Sequence, residues 1–379
     1  MSTNKKAPAE ASVQTLRTTL KELFKERDSV IDGTIVTLLA RQAMFLLGPP
    51  GTGKSELYRV LTRMLGGRYF EKTMNKFTTP EELFGPVSFK SMENDVHERV
   101  IRGKLPDCHI AFIDEAPRGS PSILDTFLPV INERIYQNGG DTVVQCPLEA
   151  FYSAANSIPD AEGLEAFWDR MVVRFEVAAI QDDANMKSLL KLKLDLQSGK
   201  GPELPHVPLE KIKQEQAAAM ALPVSEKILD LILELRTEVK NSGMEISDRR
   251  WTQTLNIIKA QAYLNGHSEV EADDLEILEA MLWSSPEEIK KVRQMVAKVS
   301  NPLGEAITAQ TDAVQDVLGR WRKREQGLEA FEVQKKLKKS LDTLKNLRKP
   351  GMNNTKLDKA IAQVDATNQK FVRDELGVE

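Results

Sequence analysis

The period of the apolar residues changes along this chain. From residue 12 to 41 it is helical: Leu16, Leu20, Leu23 and Phe24 share one stripe. Val30, Ile31, Ile35, Leu38 and Leu39 continue it past a break near Asp28 and Ser29. Short segments at 43–47, 68–73, 109–115, 148–155 and 171–177 each read as a strand, and the apolar runs within 43–47 and 109–115 read as buried parallel strands. Between them lie helical segments at 55–65, 80–84, 121–133 and 164–170. Strands that alternate with helices predict a parallel sheet covered on both faces. Residues 87–106 read as an inserted hairpin. Residues 134–147 read as a second one, turning at Asn138-Gly139-Gly140-Asp141. From Asp182 the pattern is helical only, with a loop at 197–205 and helices at 224–239, 248–264 and 271–283. A long charged helical stretch over 286–348, a turn at 349–354 and a last helix at 355–376 complete the chain.

This organisation divides the sequence into a lead at 1–14, an α/β domain at 15–181, an all-α domain at 182–300 and a charged helical hairpin or stalk at 301–379. A length of 379 residues agrees with several cores rather than one. The apolar share of 41% and charged share of 28% are those of a globular protein. No apolar run is long enough to span a bilayer. The N-terminus has lysines but no apolar segment, so a signal peptide is not expected, and the setting expected is the cytoplasm. The two cysteines, Cys108 and Cys146, argue against a disulfide framework. The four histidines lack the clustering of a zinc site. A net charge of −4 disfavours a dedicated DNA binder, although the stretch from Arg320 to Lys349 is strongly basic.

The chemistry concentrates at two places. Gly48-Pro49-Pro50-Gly51-Thr52-Gly53-Lys54-Ser55 matches G-x-x-x-x-G-K-[ST] between a strand and a helix, the P-loop context. Its glycines let backbone N–H groups approach a phosphate chain. Lys54 is placed for the β- and γ-phosphates and Ser55 for Mg²⁺. Val30 and Ile31 are core residues or part of an adenine pocket. Downstream, an apolar run ends in Asp114-Glu115. Carboxylates at the C-terminal edge of a parallel sheet lie where ligands bind. Asp114 is the candidate for the Mg²⁺ shell and Glu115 for the general base. Asn156, at the tip of the next strand, can orient the attacking water or simply form a turn.

Together with Phe77-Thr78-Thr79-Pro80-Glu81-Glu82-Leu83-Phe84-Gly85-Pro86, Ile131-Asn132-Glu133-Arg134, Asp169-Arg170-Met171 and Ser247-Asp248-Arg249-Arg250-Trp251, these motifs resemble the MoxR family of AAA+ ATPases, in its RavA-like branch. The resemblance covers residues 15–300. It implies an α/β P-loop AAA+ core, an all-α lid and a C-terminal helical stalk. It implies ATP and ADP with Mg²⁺, a ring (commonly a hexamer) and chaperone-like remodelling of a protein, often one with a von Willebrand factor A domain. An AAA+ nucleic-acid motor is the alternative. In the family pattern Asn156 is sensor 1, Arg170 the arginine finger acting on a neighbouring subunit, and Arg249 sensor 2 acting within its own subunit. Arg174 and Arg250 are the alternatives for those arginines. The segments 87–106 and 134–147 correspond to the helix-2 insert and the pre-sensor-1 hairpin. The chain departs from the pattern at Pro117-Arg118, where many members have Asn-Arg, and its tail has no β-rich insertion.

Overall fold

The computed structural model describes residues 12–139, 142–158, 164–300, 302–323, 329–348 and 355–376. The lead expected at 1–14 lies almost wholly outside them, as do the Gly140-Asp141 hairpin tip and the 349–354 turn. The chain forms two units, Met1–Ser225 with Ile246–Pro286, and Glu226–Glu245 with Glu287–Glu379.

The first unit opens with α1 (Val13–Leu23) and α2 (Asp28–Leu39). They lead into β1 (Ala43–Leu47), α3 (Lys54–Leu65), β2 (Tyr69–Thr73), α4 (Pro80–Phe84) and the one-turn helix α5 (Phe89–Met92). Next come β3 (Ile110–Asp114), α6 (Pro121–Asp125), α7 (Phe127–Asn132), β4 (Ile135–Gln137), β5 (Val143–Gln145), β6 (Ala150–Ala155), α8 (Glu165–Arg170) and β7 (Val173–Glu176). Five strands form a sheet in the order β2-β3-β6-β1-β7, every pair parallel. All residues of β1 and β6 are buried, as expected of strands covered on both faces. Alternate residues serve opposite faces. Phe45, Ala111 and Phe151 join one core cluster with Phe127 and Phe167. On the other face Tyr58 of α3 stacks on Tyr152 at 4.1 Å and lies 5.1 Å from Phe112. Aromatic pairs of this kind contribute about 0.5–1.5 kcal/mol beyond their area, so α3 is set firmly on β3 and β6. Val30 and Ile31 are core residues of α2, at 4% and 0% exposure.

Three local expectations are corrected. Residues 87–106 do not form a hairpin. A single bridge, Val87 to Arg99, flanks α5, which Ser88 caps by accepting from Ser91 N. The helix expected over 121–133 divides at Thr126. Pro129 has no N–H to offer Asp125 O, so the helical ladder is interrupted there. Residues Ala272–Ala280 wind as a 3-10 rather than an α-helix, opened by a reciprocal cap between Glu271 and Asp274.

The helical half contains α9 (Asp183–Gln197), α10 (Leu209–Met220), α11 (Glu226–Asn241), α12 (Asp248–Asn265), α13 (Ile289–Ser300), α14 (Pro302–Arg322), α15 (Ala330–Asn346) and α16 (Thr355–Phe371). The helix α10 was not expected. By contact, the residues expected as one lid are shared: α9, α10 and α12 fall in the first unit, α11 and α13 in the second. The tail is helical, as expected, and its helices pack on one another. Val314, Val317, Val333, Leu337, Leu341 and Val364 bring α14, α15 and α16 into a bundle with its own core. Val333, Leu337, Leu341 and Leu344 give α15 one apolar face, and its lysines occupy the other.

Candidate functional site

The P-loop runs from the C-terminal end of β1 to the first turn of α3. Gly48 N donates to Ala155 O at 3.0 Å, fixing the loop against β6. A Cβ on Gly48 would lie 2.1 Å from Val177 O, so only glycine fits there. Gly51 and Gly53 have φ of 78° and 81°, the left-handed region. Gly53 caps α3 and Lys54 is its first residue. Lys54 Nζ donates to Gly48 O at 2.6 Å and Pro49 O at 2.9 Å. Burial holds its ammonium below the usual lysine value, and Asp114 and Glu115 oppose that shift. Lys54 and the two acids therefore share one electrostatic environment.

The strand order accounts for this meeting. β3 and β1 flank β6, so Asp114, Asn156 and the P-loop emerge side by side from one edge of the sheet. Asp114 aligns with Ala154, and Ala155 with Leu47. Adjacent strands lie about 4.8 Å apart, which leaves about 10 Å between β3 and β1, room for a phosphate chain and its cation. The glycine geometry, the α3 N-terminus and the Ser55–Asp114 donor set fit MgATP. Glu115 differs from the strand position expected. It has left the strand, with φ of 52°. Such a conformation costs a non-glycine residue about 1–3 kcal/mol and is concentrated at functional sites. Glu115 N donates to Asp114 Oδ1 at 3.1 Å, and Arg118 Nε lies 3.0 Å from Glu115 Oε2. Glu115 is 8% exposed, whereas Asn156 is open to solvent.

The arginine alternatives separate by burial. Arg174, 1% exposed, donates to Met171 O, Trp168 O and Trp283 O, and its guanidinium lies over the Trp168 ring. Arg250, 4% exposed, lies 3.6 Å from Asp169 and donates to Trp168 O. Both are spent on internal contacts. Arg170 is half-buried and Arg249 exposed. Burial, and then the charge of Arg249, hold the Arg170 guanidinium below its ordinary value, against Asp169, Asp125 and Glu133. Arg170 Nη1 donates to Ala166 O at 2.9 Å, and the charge it feels from Arg249 makes the two arginines neighbours. Ser247 Oγ donates to Asp169 Oδ1 at 2.6 Å, which fastens the start of α12 to the end of α8.

That pair does not sit at its own P-loop. β7 runs from Val173, opposite Met44, to Glu176, opposite Leu47. This is a rise of about 10 Å at roughly 3.3 Å per residue. Arg170 precedes β7, and so lies beyond the N-terminal edge of the sheet. One turn past Arg249, Gln253 contacts Gln42, the residue just before β1.

The structure also singles out residues the sequence reading passed over. In the sequence Arg118 stands out only as a departure from a family pattern. Asn138 reads there as a turn residue, yet its buried side chain bonds both backbone groups of Arg99.

Residues 11–217 match the model of the MoxR domain in the MoxR-vWA-beta-propeller ternary systems, and residues 227–296 match an AAA lid domain. The chain therefore belongs to the MoxR family of AAA+ proteins. It is 36% identical over 290 residues to the uncharacterized protein MJ0812 of Methanocaldococcus jannaschii, covering 76% of each chain. It is 33% identical over 306 residues to MJ0079 of the same organism, covering 80% of this chain and 79% of that one. A crystal structure from Cytophaga hutchinsonii, of a protein assigned as an ATPase, superposes with a TM-score of 0.61 at 14% identity, covering 76% of this chain and 92% of that one. That likeness concerns the fold: an AAA+ α/β core followed by a helical lid. The matches give no support to a RavA-like branch. Among the described residues no helix is long and apolar enough to cross a membrane.

Proposed function

We propose that this chain is a Mg²⁺-dependent ATPase that works as a ring, a homo-hexamer in the simplest case, and remodels a protein partner in the cytoplasm. The observation that carries the reading is the separation of Arg170 and Arg249 from Lys54 within one sheet. Neither Arg170 nor Arg249 then reaches a γ-phosphate held by Lys54 of its own subunit. The edge that presents Arg170 and Arg249 offers both to a neighbour. Both arginines then act in trans, which makes hydrolysis depend on assembly.

Ser55 and Asp114 would hold Mg²⁺, which when bound would supply neutralisation of phosphate charge. The P-loop N–H groups and Lys54 hold the phosphates. Asn156 orients a water, and Glu115 takes its proton. The neighbour's two guanidinium groups stabilise charge on the transferred phosphoryl group.

The partner proposed is a protein with a von Willebrand factor A domain, on the strength of the systems for which the matching family model is described. The nucleic-acid motor reading finds no support in the family matches, and the basic face of α15 reads as a solvated helix surface. A pull-down with Glu115→Gln, loaded with ATP, tests the reading by capturing a von Willebrand factor A protein. Stimulation of turnover by DNA and by no protein overturns it.

A further inference from the structure

Two chain paths leave the paired carboxylates and meet again far from them. The first crosses from β3 to β2, where Thr73 aligns with Asp114. Lys72 pairs with Glu82 of α4. Arg99 of the 87–106 insert then donates to Gly85 O at 2.8 Å, at the end of α4. The second path starts at Glu115 and passes through α6 and α7 into β4 and Asn138. The two close on each other at one side chain. Arg99 N donates to Asn138 Oδ1 at 2.8 Å, and Asn138 Nδ2 donates to Arg99 O at 3.1 Å. The amide thus imitates a β-bridge between segments that share no strand pairing. Two neighbours reinforce the join. Thr142 Oγ1 donates to Glu98 Oε1 at 2.9 Å. Gly139, with φ of 81°, lies so close to the insert that a Cβ would come 2.1 Å from His97 O.

We propose that Asn138 is a positioning residue that fastens the β4–β5 hairpin to the 87–106 insert, so that the two projections move as one body. A turn asparagine at this position needs neither contact with Arg99, and both are formed from a side chain only 7% exposed. The fastening stands on geometry alone. Its use in transmitting the nucleotide state rests on the proposed ATPase site.

Hydrogen–deuterium exchange on the full chain separates the two claims. Wild type, Asn138→Ala and Gly139→Ala are compared without nucleotide and with ATPγS and Mg²⁺. Loss of the two bonds to Arg99 is expected to speed exchange across 97–101 about tenfold in both variants. Peptides covering β3 stay protected and report intact folding. Unchanged exchange at 97–101 in both variants overturns the fastening. With ATPγS, wild type is expected to slow at 97–101 and 135–138 together, and Asn138→Ala at one segment only. A wild type that does not respond to ATPγS, in which Asn138→Ala still speeds 97–101, leaves the fastening in place and counts against the nucleotide-site reading.

Discussion

Arg118 Nε lies 3.0 Å from Glu115 Oε2, so the residue proposed to activate water is held by an arginine three positions further on. The turn between them is short, with Arg118 N donating to Glu115 O at 2.9 Å. Glu115 keeps a left-handed backbone that only its surroundings can impose. The arginine occupies a carboxylate oxygen that a general base needs for the incoming proton. Arg118→Ala is expected to raise basal ATP turnover several-fold without changing ATP affinity. A fall in turnover would show instead that the arginine holds the base in its working position. Glu115→Gln is expected to bind ATP and to lose about 10²–10⁴ in turnover.

Lys54 is half of the proposed phosphate grip, and its Nζ already lies against the loop carbonyls. Lys54→Ala is expected to abolish the rise in melting temperature that ATPγS and Mg²⁺ give the wild type. A retained shift would place the nucleotide elsewhere.

The four candidate arginines are expected to divide into two phenotypes. Arg174→Ala strands the carbonyls of Met171 and Trp283 in a buried site, while Trp168 O keeps Met171 N and Arg250 as donors. It should cost about 2–6 kcal/mol of stability, since each unsatisfied buried group costs about 1–3 kcal/mol. Arg250→Ala follows the same logic through Asp169 and Trp168. Arg170→Ala and Arg249→Ala should melt like the wild type and bind ATP. Chemical denaturation of the four variants checks the division.

His267 provides a pH signature for the first unit. Its Nδ1 lies 2.9 Å from Oδ2 of the fully buried Asp274, which also accepts from Glu271 N at 2.9 Å. Burial works against the charged ring. The hydrogen bond and charge of Asp274, with Glu271 and Asp273, outweigh it and raise the imidazole above its ordinary value. A raised folded value means that the stabilisation is complete below the unfolded value, about 6.5. It is lost as pH rises through the folded value. The melting temperature should therefore fall as pH rises through that window, and the fall should be absent in His267→Gln. His267, Asp273 and Asp274 are also close enough to hold a metal ion. Asp274 is already satisfied by its own cap, by His267 and by Asn265 Nδ2 at 2.7 Å.

What the sequence revealed and what it concealed follow from how each residue is held. The strands β1, β3 and β6 are short apolar runs, and glycine spacing marks the P-loop, so the nucleotide edge of the sheet was legible. The helix α10 was not, because its buried face includes Glu215 and Gln216. Those polar groups are satisfied by distant partners: Glu215 Oε2 accepts from Val13 N, and Gln216 Nε2 donates to Leu38 O. A search for apolar periodicity cannot find such a helix. Arg174 and Arg250 look like surface arginines in the sequence, and only tertiary contacts reveal them as buried. Arg170 and Arg249 stay more open, and their neighbouring places depend on how α12 meets α8.

The central claim is that the site built on Lys54 is completed by Arg170 and Arg249 of another subunit. Mixing Lys54→Ala with Arg170→Ala subunits tests it most directly, because each is inactive alone for a different reason. In a mixed ring, an Arg170→Ala subunit binds ATP at an intact P-loop and receives Arg170 from a Lys54→Ala neighbour. ATP turnover is expected to reappear on mixing and to follow the same course with Arg249→Ala in place of Arg170→Ala. A mixture that stays as inactive as its components, while still assembling and binding ATP, would contradict the claim.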